Sequence, residues 1–240
     1  MTPKSEIYNC DCLEYMKSLP DKYFSLAIAD PPYGDAGQGF SGEERFGGWF
    51  ERYRKKNVER TGGTWAAKYE KKIAGWDVAP TQEFFDELER VSENRIIWGA
   101  NYFTMPPTRC FVVWKKLSIS ESFSMAMAEY AWTSFNGNAK VVEMAPQGKK
   151  GKTRFHPTQK PVELYSWLLK NYASGGVIFD PMMGSASSRI AAYKLGLDYV
   201  GCEIDKEYFD KGVERFEREC LGIIRTPEGK KLTQLQLFEV

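Results

Sequence analysis

The sequence predicts an α/β fold built on a doubly wound, mostly parallel sheet. Seven strand-like segments recur, most of them short, continuous and β-branched or aromatic, as expected of strands covered on both faces. Helical patterns lie between several of them, which is the alternation that produces parallel sheets. The chain has 240 residues, 42% of them hydrophobic, enough to bury one α/β core with a sizeable insertion.

The first strand is expected at Ile7 to Asn9, followed by a short helix from Leu13 to Lys17. A second strand runs from Phe24 to Asp30 and stops at Pro31 and Pro32. Residues 35–76 then break the pattern, being rich in Gly, Arg, Lys and aromatics without a clean period. An interruption of that length after a strand's carboxyl end predicts a functional loop or small subdomain. Residues 81–92, "TQEFFDELERVS", open with a Thr and a Glu two positions on, which marks a helix start. Strands are expected at Arg95 to Gly99, Cys110 to Lys115 and Tyr130 to Phe135, and a basic loop at 136–155. Residues 162–173 place Tyr165, Leu168, Leu169 and Tyr172 on one helical stripe. Val177 to Asp180 is a strand that passes through a turn of small residues into an Ala-rich helix. Tyr199 to Ile204 is the last strand, and residues 206–219 form a helix with Phe209, Val213 and Phe216 inward. The main domain spans 1–221, leaving 222–240 as a C-terminal tail.

Charge and cysteine content narrow the class of function. The net charge is +1, yet residues 44–72 hold nine Lys or Arg against four Glu, and residues 146–160 hold five Lys or Arg and no acid. Two local basic segments on a neutral chain suit a nucleic-acid groove, although two solvated loops would read alike. Five cysteines without a C-x2-C pair, and a single histidine, His156, argue against a zinc site or a disulfide framework, so no metal is expected. The N-terminus has no secretory pattern, and no run approaches the roughly 18 apolar residues that span a bilayer. A cytoplasmic protein without membrane contact is expected.

Four stretches carry chemistry. "LAIADPPYGD" ends a buried strand with Asp30, Pro31, Pro32 and Tyr33. Asp30 has four lone-pair sites for an exocyclic amine, the Pro31 carbonyl is a second acceptor, and Tyr33 can stack on a planar base. "GGVIFDPMMGSASSRIAAYKLG" brings Asp180, Met182, Gly184, Ser185, Ala186 and Ser187 to a strand's carboxyl end, where open α/β folds bind nucleotides. It lacks G-x-G-x-x-G, so pyrophosphate binding is disfavoured. Glu203, followed by Ile204, lies about twenty residues further on and is placed to accept both hydroxyls of a ribose; Asp205 is the better cap for the following helix. Asp11, beside Cys12, suits either the exocyclic amine of an adenine ring or the N-cap of the helix from Leu13.

"DPPY" at 30–33, "HPTQKP" at 156–161, "FDPMMGSASS" at 179–188 and "GCEID" at 201–205 together resemble the S-adenosylmethionine-dependent amino-methyltransferases of DNA. With the tetrapeptide first and the cofactor loop late, the order resembles the permuted group called beta. The resemblance implies a Rossmann-like, seven-stranded sheet with one antiparallel strand and an inserted target-recognition part. It implies that Asp180, Gly184 and Ser185 line the methionine moiety, that Glu203 holds the ribose, and that Asp11 meets the adenine. It puts Thr158, Gln159 and Lys160 at the methionine carboxylate and leaves His156 a positional role. Family members often carry a glycine where this chain has Ala186, so a stiffer loop is expected here.

The activity implied is methyl transfer to the N6 amine of adenine in double-stranded DNA, by base flipping and direct in-line attack. Cytosine N4 is the alternative, since its amine has nearly the same geometry; the resemblance favours adenine because Asp heads the tetrapeptide. Methylation of a protein glutamine fits less well, as those enzymes carry Asn before the prolines and run the cofactor loop first. A binding module with a vestigial cofactor pocket is a further rival. Arg and Lys of 35–76 and 136–155 are expected on phosphates, with Trp49, Trp65 or Trp76 as wedges. The tail "QLQLF" resembles the peptide by which bacterial proteins dock on the DNA sliding clamp, with Gln234, Leu237 and Phe238 as anchors; packing on the chain's own surface is the other reading. Association of two copies is left open.

Overall fold

The computed structural model describes residues 2–33, 78–120, 126–146, 154–156, 158–225 and 230–233. Eight strands form the main sheet: β1 (Ser5–Tyr8), β2 (Phe24–Ala29), β3 (Ser92–Trp98), β4 (Phe111–Lys116), β5 (Ala128–Thr133), β6 (Lys140–Met144), β7 (Val177–Asp180) and β8 (Asp198–Cys202). Their order across the sheet is β1-β8-β7-β2-β3-β5-β4-β6. Only β5 runs against its neighbours, pairing antiparallel with both β3 and β4, while every other pairing is parallel. The sheet is therefore mostly parallel with one antiparallel strand, as expected, but it has eight strands and not seven. The extra strand, β6, comes from the stretch expected to be a basic loop: Val142 is buried while Val141 stays exposed, an alternation suited to an edge strand.

Among the described residues five α-helices flank the sheet: α1 (Cys12–Lys17), α2 (Gln82–Val91), α3 (Val162–Tyr172), α4 (Ser187–Lys194) and α5 (Lys206–Phe216). Alternation along β2 divides the core between the two faces. Leu26 and Ile28 join a cluster with Leu164, Leu168 and Ile190, whereas Ala27 and Ala29 join one with Met16, Phe84 and Leu88. In α2 the buried Phe84, Leu88 and Val91 stand at positions i, i+4 and i+7, the stripe a half-buried helix needs. In α5 the buried stripe is Tyr208, Gly212, Arg215 and Phe216, rotated from the expected Phe209, Val213 and Phe216. The rotation brings Gly212 within van der Waals reach of Met183, Gly184 and Ala186, so the helix packs on the turn after β7.

Residues 217–221 continue α5 as a π-helical turn, and β9 (Ile223–Arg225) pairs antiparallel with β10 (Lys231–Thr233). Part of the presumed tail is thus a two-stranded ribbon. Glu217 ties it down, accepting from Arg225 Nε at 3.0 Å and from Lys231 Nζ at 2.8 Å. Among the described residues no helix is long and apolar enough to cross a membrane.

Candidate active site

The neighbouring strands β1, β8, β7 and β2 run parallel, so the turns at their carboxyl ends open on the same edge of the sheet. Those turns are the segments containing Cys10 to Cys12, Glu203 to Asp205, Pro181 to Ser185 and Asp30 to Tyr33. They surround one cavity of about 660 Å³. The four separated motifs are thereby brought together by strand order alone, at the position where open α/β sheets bind ligands.

At the Asp30 end, the carboxylate takes two donors on the same oxygen. Lys160 Nζ reaches Asp30 Oδ1 at 2.5 Å and the Tyr33 hydroxyl donates to it at 3.3 Å. Burial raises the Asp30 pKa and Glu129 adds to the effect, while Lys160 and Tyr33 pull it down. Burial also pushes the Tyr33 phenol well above its ordinary value, so it stays a neutral donor. One face of the Tyr33 ring stacks on Tyr102, with centroids 4.7 Å apart and planes 25° apart. Gly99, at φ +64°, lies under the same ring, and a Cβ there would stand 2.0 Å from Tyr33 Cε1. Backbone and aromatic neighbours therefore fix the direction in which Tyr33 points.

At the other end, Glu203 accepts from the Gly184 N–H at 2.8 Å through Oε2 and from the Asp205 N–H at 2.9 Å through Oε1. A carboxylate oxygen has two lone-pair sites, so each retains one for a ligand hydroxyl. Asp205 carries the capping duty, accepting from Glu207 N and Tyr208 N. Asp11 is the N-cap of α1, accepting from Leu13 N at 2.7 Å, and it also lines the cavity. Burial, with help from Asp11, pushes the Cys12 thiol up to about 12, leaving it an uncharged wall residue.

Of the residues singled out in the sequence, Asp11, Cys12, Asp30, Pro31, Pro32 and Tyr33 line the cavity, as do Thr158, Gln159 and Lys160 and, from the β7 and β8 turns, Met182, Gly184, Ser185, Glu203 and Ile204. Asp180, Ala186 and Ser187 do not; they build the turn behind it. Asp180 accepts from Met182 N at 3.0 Å and from Ser188 Oγ at 2.5 Å. Ala186 sits at φ +61°, a left-handed conformation that costs an L-residue about 1–2 kcal/mol. Arg215 braces the turn from below, donating to Ser185 O at 2.8 Å and Ser187 Oγ at 2.9 Å. Lys160, expected at a ligand carboxylate, is engaged instead by Asp30 and by Glu129 Oε2 at 3.0 Å. His156 packs edge-on against Tyr208 at 4.3 Å, and burial lowers its pKa to about 4, so it is neutral and positional.

Sequence reasoning did not find Trp114, Lys116, Glu129 or the 78–81 segment, all of which line the cavity; Arg154, expected on phosphates as part of the 136–155 loop, lines it too. The available signal was weak: Lys116 ends an apolar strand, and Glu129 lies on the antiparallel strand beside it. Residues 44–72 with Trp49 and Trp65, Trp76 in the same insertion, and Gln234, Leu237 and Phe238 lie outside the described residues.

Fold and site together define an α/β protein with one cavity of about 660 Å³ at the carboxyl edge of its parallel strands, where such folds bind nucleotides. Residues 98–214 match an N6/N4 methyltransferase family described as "DNA methylase". Among curated proteins, the Type II methyltransferase M.ScaI of Streptomyces caespitosus is 26% identical over 264 aligned residues, covering 90% of this chain and 83% of that protein. The DNA adenine methyltransferase YhdJ of Escherichia coli K12 is 22% identical, covering 88% of this chain and 82% of that protein. Among solved structures, a DNA modification methylase of Thermus thermophilus, TTHA0409, determined with S-adenosyl-L-methionine, superposes with a TM-score of 0.54 at 17% identity, over 91% of this chain and 95% of that one. That likeness carries the fold. The matched family model, these relatives and the shared fold support an S-adenosylmethionine-dependent amino-methyltransferase of DNA.

The residues present fit the cofactor. Gly184 lines the cavity at φ +51° and packs its backbone against His156, where a Cβ would meet Nε2 at 3.2 Å. Glu203 retains acceptors suited to ribose hydroxyls, and Ile204, 63% exposed, offers an apolar surface beside them.

Proposed function

We propose that this DNA methyltransferase acts on the N6 amine of adenine, extruded from double-stranded DNA into the Asp30 to Tyr33 end of the cavity. The observation that carries the proposal is that the Asp30 turn and the Gly184 turn follow adjacent parallel strands and share a single cavity. S-adenosylmethionine supplies an electrophilic methyl group on a sulfonium centre. What the chain must do is present the amine in line with it.

An exocyclic amine is a poor nucleophile because its lone pair is delocalised into the ring. Asp30 Oδ2 and the Pro31 carbonyl accept its two hydrogens, draw the nitrogen towards tetrahedral geometry and stabilise the positive charge that develops on it. Tyr33 offers the ring face not covered by Tyr102 for the base to stack on, worth about 1–3 kcal/mol per stacked base and a contribution towards the few kcal/mol of extrusion. Pro32 has no backbone N–H to compete for the acceptors. Glu203 and Asp11 are assigned to the ribose and the adenine of the cofactor, and Thr158 and Gln159 to its carboxylate. Arg154, which also lines the cavity, is assigned to that carboxylate as its cation, because Lys160 is already shared by two acids. Residues 35–76 are assigned to target recognition.

Asp30 at the head of the tetrapeptide and the likeness to YhdJ favour adenine. The test is to treat unmethylated DNA with the protein and S-adenosylmethionine, digest it to nucleosides and identify the product by mass spectrometry. N6-methyladenine is expected; N4-methylcytosine would make the cytosine reading correct. Asp30→Ala is expected to abolish transfer while cofactor binding by calorimetry is kept, since Lys160 retains Glu129 as its partner. An active Asp30→Ala protein would refute the role given to Asp30.

A further inference from the structure

Behind Asp30 lies a line of four charges of alternating sign, two buried lysines and two partly buried acids, that the reading above leaves largely unused. Lys116 Nζ meets Glu129 Oε1 at 2.6 Å, Glu129 Oε2 meets Lys160 Nζ at 3.0 Å, and Lys160 Nζ meets Asp30 Oδ1 at 2.5 Å. Lys116 and Lys160 have side chains only 7% and 4% exposed, so these contacts are little screened by solvent. Two cations and two anions leave the line neutral overall, which is the condition for burying it. Lys116 comes from β4 and Glu129 from β5, the antiparallel strand, and Lys160 precedes α3. Sheet pairing fixes the first link, because Trp114 and Glu129 are register partners.

The distribution of contacts on Asp30 shows what the line does. Both donors, Lys160 and Tyr33, fall on Oδ1, and among the described residues Oδ2 receives none. An ammonium with three donors next to a carboxylate would ordinarily straddle both oxygens or migrate between them. Here Glu129 Oε2 stands 3.0 Å from the same ammonium as a second ion-pair partner, and Lys116 holds Glu129 in turn. Resting on the function proposed above, we propose that Glu129, anchored by Lys116, is a positioning residue that keeps Lys160 on Oδ1 of Asp30 and so leaves Oδ2 open for the target amine.

The electrostatics agree. Burial alone opposes ionisation of Glu129, but Lys160 and Lys116 outweigh it and bring the carboxyl down to about 2. Burial likewise opposes the charge on Lys160, and Asp30 with Glu129 more than restores it, so the ammonium lies above its ordinary value. Without Glu129, the Lys160 ammonium has only Asp30 to pair with. It then competes with the substrate amine for both oxygens and adds positive charge where positive charge is developing.

The test compares wild type with Glu129→Gln and with the paired variant Lys116→Met, Glu129→Gln. The paired variant removes one charge of each sign and leaves no buried lysine orphaned. Three quantities are read: the single-turnover methylation rate at saturating DNA, the cofactor dissociation constant by calorimetry, and the acid limb of the rate between pH 5 and 8. In both variants the rate is expected to fall at least tenfold with the cofactor constant within about twofold of wild type. The acid limb is expected to move to lower pH, because Asp30 loses the anion that opposes its ionisation and gains a larger share of Lys160. Asp30 is also faced by Tyr33, Tyr165 and Asp180. Those groups are common to all three proteins, so the difference between profiles isolates the Glu129 contribution.

A merely structural Glu129 would lower Tm and leave the rate and the limb below Tm unchanged, and that result would overturn the inference. Parallel loss of cofactor affinity would overturn it too, by assigning Glu129 to the cofactor. If Glu129→Gln alone does not fold, the paired variant decides by the same readings. A wild-type protein that transfers no methyl group to DNA overturns the proposed function, and the inference with it; an active wild type with unaltered variants overturns the inference alone.

Discussion

Replacing Gly99 with alanine should disable the enzyme without replacing any residue assigned to a ligand, because the added Cβ displaces Tyr33. Gly99 follows β3 at φ +64°, and its N–H donates to Tyr130 O at 2.9 Å, so the backbone cannot easily retreat. An alanine there carries left-handed strain of about 1–2 kcal/mol. Its Cβ would also lie 2.0 Å from Tyr33 Cε1, where ordinary contact begins at 3.4 Å, so the ring must move by 3.4 − 2.0 = 1.4 Å. Misplacement by about 1 Å is sufficient to cost on the order of 100-fold in rate when it disturbs a near-attack arrangement. The strain should lower Tm by about 2–8 °C, at roughly 2–4 °C per kcal/mol for a chain of this size. The assay is single-turnover transfer of labelled methyl groups to DNA, with calorimetric cofactor titration as control and thermal unfolding in parallel. The expected outcome is a rate lowered about 100-fold with cofactor affinity unchanged. A Gly99→Ala protein that methylates at the wild-type rate would show that Tyr33 need not stand where its neighbours hold it, and the stacking role would fall.

Two further outcomes follow from the cofactor end of the cavity. Glu203→Gln replaces an oxygen that accepts a backbone N–H with an amide nitrogen that cannot. It should orphan the N–H of Gly184 or Asp205 at a cost of about 1–3 kcal/mol, weakening cofactor binding by roughly 10- to 100-fold in a calorimetric titration; unchanged affinity would remove Glu203 from the ribose site. Asp180 makes stability depend on pH, since burial raises its carboxyl from 3.8 to about 7, against the hydrogen bonds from Ser188 and Met182. The folded state then binds more protons than the unfolded one between pH about 4 and 7, so stability falls as pH rises through that window, by up to about 1.4 kcal/mol per pH unit from this group. His156 works in the opposite sense, lowered by burial to about 4 and losing stability as pH drops from its unfolded value of about 6.5. The clean measurement is the difference in urea unfolding between wild type and Asp180→Asn across pH 4.5 to 7.5, in which His156 cancels; a flat difference would sink the assignment.

Much of the frame was readable along the chain because it rests on local periodicity. The apolar runs at Phe24, Arg95 and Val177 became strands within a few residues of their expected bounds, and α2 and α3 begin and end close to where their patterns do. The Asp11 and Asp205 caps are likewise local chemistry, an acid two residues before the N–H it accepts. β6 was missed because a five-residue edge strand with one buried valine looks the same as loop when its partner, β4, is thirty residues upstream.

The sequence by itself determined which residue types are available for the proposed chemistry, since the DPPY tetrapeptide, Glu203 and the small-residue turn each lie within one short segment. Only the tertiary structure decided how those segments are spent. Strand order set Asp30 beside Gly184, and the antiparallel β5 carried Glu129 to Lys160, turning a lysine expected on a ligand into one shared between two carboxylates. Asp180, in the middle of a motif, went to bracing the turn. Such assignments depend on which groups meet across the sheet, and no local pattern encodes a contact between residues a hundred positions apart.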